Sequence, residues 1–177
     1  AEALGGTTPR PKRSILFLVV SGEERGLVGS RWYVEHPTVP IDSLMALVNL
    51  DMISRNRPDS VYLNGWGKSD LSDLVRGMAA EHGELGLSVG PDKEDRPVTP
   101  ADSDHWPFQQ RGVPYIFFYS GAHSDYHRVG DEPRRADGDK ASRVARLAYY
   151  TLIELANAPS RPAWEASARQ RNVPEVR

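Results

Sequence analysis

Glu23 and Glu24 are adjacent carboxylates at the end of an apolar run, residues 14–20 (SILFLVV), which closes on Ser21 and Gly22. Two acids side by side repel each other and add little to packing. They make chemical sense where one holds a cation and its neighbour moves a proton. Taken alone, the pair also reads as a solvated turn. Two further stretches change that balance. Residues 44–52 (LMALVNLDM) deliver Asp51 at the end of a second apolar run, and residues 115–119 (YIFFY) lead into the His123 and His127 of GAHSDYH. Singly, Asp51 reads as a helix cap and a loop histidine as a surface group. Arriving together on one expected sheet edge, where open α/β folds keep their ligands, they argue for a site. Carboxylate and imidazole donors favour zinc, with manganese and cobalt as alternatives, and a nearby carboxylate can take the proton of an activated water.

The elements that must position these residues follow from the hydropathy pattern. Residues 14–20, 44–52 and 115–119 read as buried strands, with shorter strands at 61–63 and 87–89. Helices are expected at 26–36, with Leu27, Val28, Trp32 and Val34 as its apolar residues, at 70–82, at 106–111 and at 137–156; residues 1–4 read as the last turn of another. The stretch 83–99 is otherwise rich in Gly, Pro and charge, and the tail from 159 is expected to lie on the surface or be disordered. Buried strands alternating with helices predict an α/β fold, a three-layer α/β/α sandwich with a mixed, mostly parallel sheet. Residues 1–158 form the catalytic domain in this reading and 159–177 the tail.

With 177 residues the chain is long enough for one domain with a sizeable core. A net charge of -2 gives no reason to expect nucleic acid or an anionic membrane as partner. No apolar run approaches the roughly 20 residues of a membrane span. Cysteine is absent, which excludes disulfides, thiolate zinc sites and cysteine nucleophiles and leaves any metal to carboxylate and imidazole. The chain opens on Ala1 rather than Met, which reads as a processed or truncated start.

Several motifs carry a resemblance. SGEE at 21–24 followed by GLVGS at 26–30 resembles the core motif of the co-catalytic di-zinc aminopeptidases, the aminopeptidase Y and aminopeptidase S type of metallopeptidase family 28. NLDMI at 49–53 resembles that family's metal-binding Asp motif, while SDHWPF at 103–108, GVP at 112–114 and YHRVGD at 126–131 resemble its C-terminal signature. The similarity runs through residues 1–155 in the family's order. It implies a zinc exopeptidase-like fold and an enzyme removing N-terminal residues from peptides with a free N-terminus, using two zinc ions about 3.5–4 Å apart. Glu23 would be the general base and then acid; Glu24 and His127 would bind one zinc and Asp51 the other. Tyr126 would donate to the oxyanion, and Asp104 would lie near the substrate amine. His123 and Asp131 would orient His127, or else are surface polar residues. The resemblance also implies that a His-x-Asp motif and a bridging Asp lie upstream of Ala1. The chain then corresponds to the C-terminal two-thirds of a catalytic domain, with an apolar sheet edge left uncovered and little or no activity alone. Because family members are often exported, it leans towards a secreted or periplasmic location.

A carboxypeptidase or dipeptidase specificity within the same superfamily stays open, as do two further rivals. A glutaminyl cyclase-like enzyme shares the fold and a Glu-Glu pair but uses a single zinc; the Asp51 and Tyr126–Asp131 motifs favour the peptidase. A non-catalytic, peptidase-like binding module would keep the fold without the metals; the joint presence of Glu23, Glu24, Asp51, Tyr126 and His127 argues against it.

Overall fold

Four strands form the sheet: β1 (Leu47–Leu50), β2 (Ser60–Asn64), β3 (Ser88–Gly90) and β4 (Tyr115–Tyr119), in the order β1-β4-β2-β3. The structure, a computed structural model, describes residues 1–91 and 103–165. β4 runs parallel to β1 and antiparallel to β2, and β3 is parallel to β2, so the sheet is mixed and mostly parallel. Tyr115–Tyr119 is buried at every position because it lies inside the sheet with both faces covered.

The helices are α1 (Glu2–Gly5), α2 (Val28–Glu35), α3 (Leu71–Glu81), α4 (Trp106–Gln110) and α5 (Gly138–Asn157). Strand alternation sends Ile116 and Phe118 to one face with Val61 and Leu63, where they meet Leu71 and Val75 of α3 and Val144, Leu147 and Leu155 of α5. Leu47 faces the other way, towards Tyr33 and Val34 of α2 and Phe108 of α4. The result is the three-layer α/β/α arrangement that the alternating elements predict. α5 starts at Asp137, whose carboxylate accepts the Lys140 N–H at 2.9 Å, a side-chain cap on the longest helix.

Three local expectations are corrected. Residues 14–20 are not a buried strand: they lie outside the sheet, with Leu16 49%, Phe17 51% and Val19 97% exposed. Hydropathy records a preference for burial, but a strand also needs a ladder partner, and β1, at the sheet edge, pairs among the described residues only with β4. An apolar groove of about 530 Å³, lined by Leu4, Phe17, Leu50, Ala148 and Leu152, opens beside this edge. On α2 the inward stripe is Ser30, Tyr33 and Val34, whereas Val28 and Trp32 point outwards. The helix begins only after Leu27, which takes a left-handed φ of 61° and is itself buried on the inward side with Val34, so two of the four apolar residues face in and two face out. Finally, the strand expected over 44–52 is shorter: Ile41–Ser43 forms a 3₁₀ turn before it, and Met52 at φ 53° ends the extended run just past Asp51.

The start of the tail is tied down on the surface. Ala163 N–H donates to Asp70, Glu165 N–H to the Lys68 carbonyl, and the Trp164 indole to the Gly112 carbonyl at 3.2 Å. Residues 166–177, like 92–99 of the Gly-, Pro- and charge-rich stretch, lie outside the described residues.

Candidate metal centre

Glu23 and Glu24 sit on a single 3₁₀ turn, Glu23–Arg25, bracketed by Gly22 at φ 74° and Gly26 at φ 94°. Both flanking positions need left-handed backbone, which glycine supplies at no steric cost. The turn is fastened to α2 by Val28 N–H donating to the Gly22 carbonyl and Gly29 N–H to the Ser21 carbonyl at 2.9 Å. Gly29 permits that approach, since a Cβ there would lie 2.7 Å from the Ser21 carbonyl oxygen. The GLVGS motif is thus the seat of the paired acids.

Asp51 follows β1, and its Oδ2 accepts from Ser103 Oγ at 3.2 Å; Asn49 Nδ2 donates to the same Ser103 oxygen at 3.0 Å. A buried hydroxyl therefore links the NLD and SDH motifs and fixes one oxygen of Asp51. Asp104 is positioned similarly, accepting from the buried Ser30 hydroxyl at 2.6 Å. Burial raises the Asp104 pKa, and the Asp51 charge adds to the effect against the Ser30 hydrogen bond.

His127 has a left-handed φ of 56°, and its Nε2 lies 2.8 Å from Glu24 Oε1; its ring stacks on Tyr126 with centroids 3.9 Å apart. The Glu24–His127 pair is solvent-facing. Glu23 sits among all of these groups. Its pKa is raised above the ordinary carboxylate value by burial first and then by the charges of Glu24, Asp51 and Asp104, with His127 pulling the other way. A carboxyl held above its usual range is suited to accepting and returning a proton.

His123 and Asp131 approach each other at 3.7 Å, and His123 meets the Tyr126 ring edge-on at 6.2 Å. Asp131 is engaged by Arg55, as is Asp125 at 2.6 Å. Arg55 holds Asp125 below the usual carboxylate range, with Arg135 helping. Sequence reasoning passed over Ser30, Arg55 and the histidine of SDHWPF. His105 is fully buried, stacked on Tyr115 at 4.4 Å and Phe117 at 5.2 Å, and neither ring nitrogen has a partner among the described residues. Desolvation, and then the Lys68 charge, push its pKa down to about 3, so it is a neutral packing residue. Its burial in a motif of polar residues is the signal that SDHWPF is partly architecture.

As metal donors, Glu24 and His127 have the right chemistry and already meet at one point. Asp51 is within electrostatic reach of the same carboxyl cluster, and among the described residues no three such donors converge. The residues fit zinc in type and supply part of a ligand set.

Against known sequences, residues 1–152 match Peptidase family M28. The chain belongs to peptidase family M28. It is 26% identical over 151 residues to leupeptin-inactivating enzyme 1 of Streptomyces exfoliatus, covering 84% of this chain and 32% of that protein. It is 24% identical over 177 residues to a probable zinc metalloprotease of Pyrenophora teres f. teres, covering 86% and 37%. Among solved structures, the LapA aminopeptidase of Legionella pneumophila superposes with a TM-score of 0.71 at 24% identity, over 86% of this chain and 42% of that one. This M28 chain therefore spans about two fifths or less of the length of these relatives. The open α/β fold is the one LapA has, and the family and its metalloprotease relatives support zinc as the metal.

Proposed function

We propose that this chain supplies part of the active site of a zinc aminopeptidase that removes residues from the free N-terminus of peptides. The observation that carries the reading is the meeting of Glu24 and His127 at 2.8 Å beside a Glu23 carboxyl whose pKa is raised by Glu24, Asp51 and Asp104 after burial. M28 membership and the aminopeptidase fold of LapA support it.

In this reading Glu24 and His127 would hold one zinc ion, Asp51 would contribute to a second, and the remaining ligands would come from outside this chain. Bound zinc supplies Lewis acidity, polarising the scissile carbonyl and acidifying the attacking water. Glu23 accepts the proton that this water gives up and returns it to the departing amine. Tyr126, beside His127, donates to the oxygen on which negative charge develops, and Asp104 receives the ammonium of the substrate's N-terminus. Ser103 keeps Asp51 oriented, and Ser30 keeps Asp104 aimed. The chain by itself, with a partial ligand set, is weakly active or inactive.

The test is hydrolysis of aminoacyl anilides by a protein carrying this chain within a complete M28 domain, with the substrate amine free and then acetylated. Cleavage only of the free amine is expected. Cleavage of both, or cyclisation of an N-terminal glutamine in place of hydrolysis, contradicts the reading. The isolated chain turning over anilides at an ordinary enzymatic rate contradicts its last part.

A further inference from the structure

The segments carrying Asp51 and His127 are joined to each other, and one side chain, Arg55, reaches both ends of the turn that holds His127. The Arg55 guanidinium donates to Asp125 Oδ2 at 2.6 Å with one nitrogen and engages Asp131 with another. Those carboxylates stand two residues before and four residues after His127, so a single planar fork grips both ends of the turn presenting the imidazole. Its side chain is only 14% exposed, which strengthens charge-assisted hydrogen bonds relative to a solvent-facing pair. Arg55 is itself held: its carbonyl accepts from the buried Lys140 Nζ at 2.5 Å. Asn56 Nδ2 donates to the carbonyls of Ser120, Gly121 and Ala122 at 2.8, 3.1 and 3.0 Å, and Asp137 N–H donates to the Ser54 carbonyl at 2.7 Å.

The gripped turn needs such support. His127 is a non-glycine residue at φ 56°, a conformation that costs roughly 1–2 kcal/mol and persists only where surroundings over-determine it. Within the turn, Tyr126 N–H bonds the His123 carbonyl, Arg128 N–H the Asp125 carbonyl and Asp131 N–H the Arg128 carbonyl. These short-range bonds shape the turn without fixing it to the sheet. Arg135 reaches Asp125 at 2.8 Å but is 47% exposed, and no contact joins it to Asp131 among the described residues.

We propose that Arg55 is a positioning residue, one that locks the 122–131 turn onto the Asp51 segment and so holds His127 facing Glu24 before any metal arrives. This rests on the reading of Glu24 and His127 as a metal pair. Lysine replaces arginine only in part here, because its compact ammonium lacks the planar fork that reaches two separate carboxylates at once.

The test uses the full 177-residue chain and three readouts: zinc affinity by calorimetry, amide hydrogen exchange at Tyr126, Arg128 and Asp131, and unfolding temperature. R55M is expected to weaken zinc binding by about 10–100-fold and to speed exchange at those amides. R55K is expected to recover only part of both, and R135M to leave zinc affinity within about threefold of the parent. The inference is overturned if R55M lowers the unfolding temperature while zinc affinity and turn protection are unchanged, or if R135M loses as much affinity as R55M. Should R55M not fold, D131A severs one arm of the same fork and is read by the same criteria. If the unmutated chain binds no zinc, its partial ligand set does not suffice alone and the same variants are compared for zinc affinity within a complete M28 domain. In the chain, faster exchange in R55M still supports the clamp, and unchanged exchange overturns it.

Discussion

Asp51 and His127 stand on segments braced by β1, β4, Arg55, Asn56 and Ser103, whereas Glu23 and Glu24 end a run of chain whose apolar side chains lie in solvent. One half of the candidate site is fixed by the sheet and a hydrogen-bond network. The other is fixed mainly by the contact of Ser21 and Gly22 with the first turn of α2. The comparison separates two demands. Of the proposed donors, Asp51 and His127 have a rigid frame in the braced half, while Glu24 rests on the weakly held turn. A carboxyl proposed to move protons needs an environment that perturbs it, and Glu23 has one in burial first and then in the acids around it.

Four substitutions probe this contrast. The largest effect is expected for Glu23→Gln in a protein carrying a complete site: turnover falls by about 10²–10⁴-fold while zinc content stays. Loss of zinc there would mean that the paired acids have exchanged roles. Next is His105, in the braced half. Its folded pKa of about 3 lies below the ordinary histidine value of 6.5, so between those values the unfolded chain binds the proton and the folded chain does not. Stability is therefore fully present above pH 6.5 and falls as the pH drops, by up to about 1.4 kcal/mol per unit. Urea unfolding at pH 7 and pH 5 should show that loss, and His105→Phe should remove most of it; an unchanged slope would place the proton elsewhere.

Gly29→Ala acts on the weakly held half. Its Cβ would meet Ser21 backbone atoms at 2.7 and 2.8 Å, so a destabilisation of about 1–3 kcal/mol is expected in the same unfolding assay. A neutral result would show that the Glu23–Arg25 turn is not seated on α2 in solution. The smallest effect is expected for Val19→Lys. At 97% exposure it should change stability by no more than about 0.5 kcal/mol. A much larger cost would mean that residues 14–20 are covered in solution and that the two halves are held alike.

The same contrast marks what the sequence could disclose. YIFFY disclosed β4 because a strand buried on both faces is apolar throughout, and the 3.6-residue period disclosed α3 and α5 because each buries one stripe. SILFLVV carried the same apolar signal and gave no strand, since composition does not say whether a neighbour exists to share the ladder. α2 was legible in part: of its four apolar residues Leu27 and Val34 are buried, while Val28 and Trp32 are exposed and the buried stripe is completed by Ser30 and Tyr33. Within the candidate site, residue types and spacing pointed to Glu23, Glu24, Asp51 and His127, because acids and imidazoles at the ends of apolar runs are chemically conspicuous. Arg55 and Ser30 were silent. Their contribution depends on groups that the fold brings from 70 or more positions away in the chain, and spacing along the chain carries no trace of that.

The most direct test of the metal pair is calorimetric titration of the 177-residue chain with zinc, in unmutated form and as Glu23→Gln, Glu24→Gln and His127→Ala. The account predicts that Glu24→Gln and His127→Ala each weaken binding by more than the roughly 100-fold upper range for a merely supporting group, and that Glu23→Gln leaves it within a few-fold. Zinc binding that survives both of those changes, or that disappears with Glu23→Gln, would contradict it.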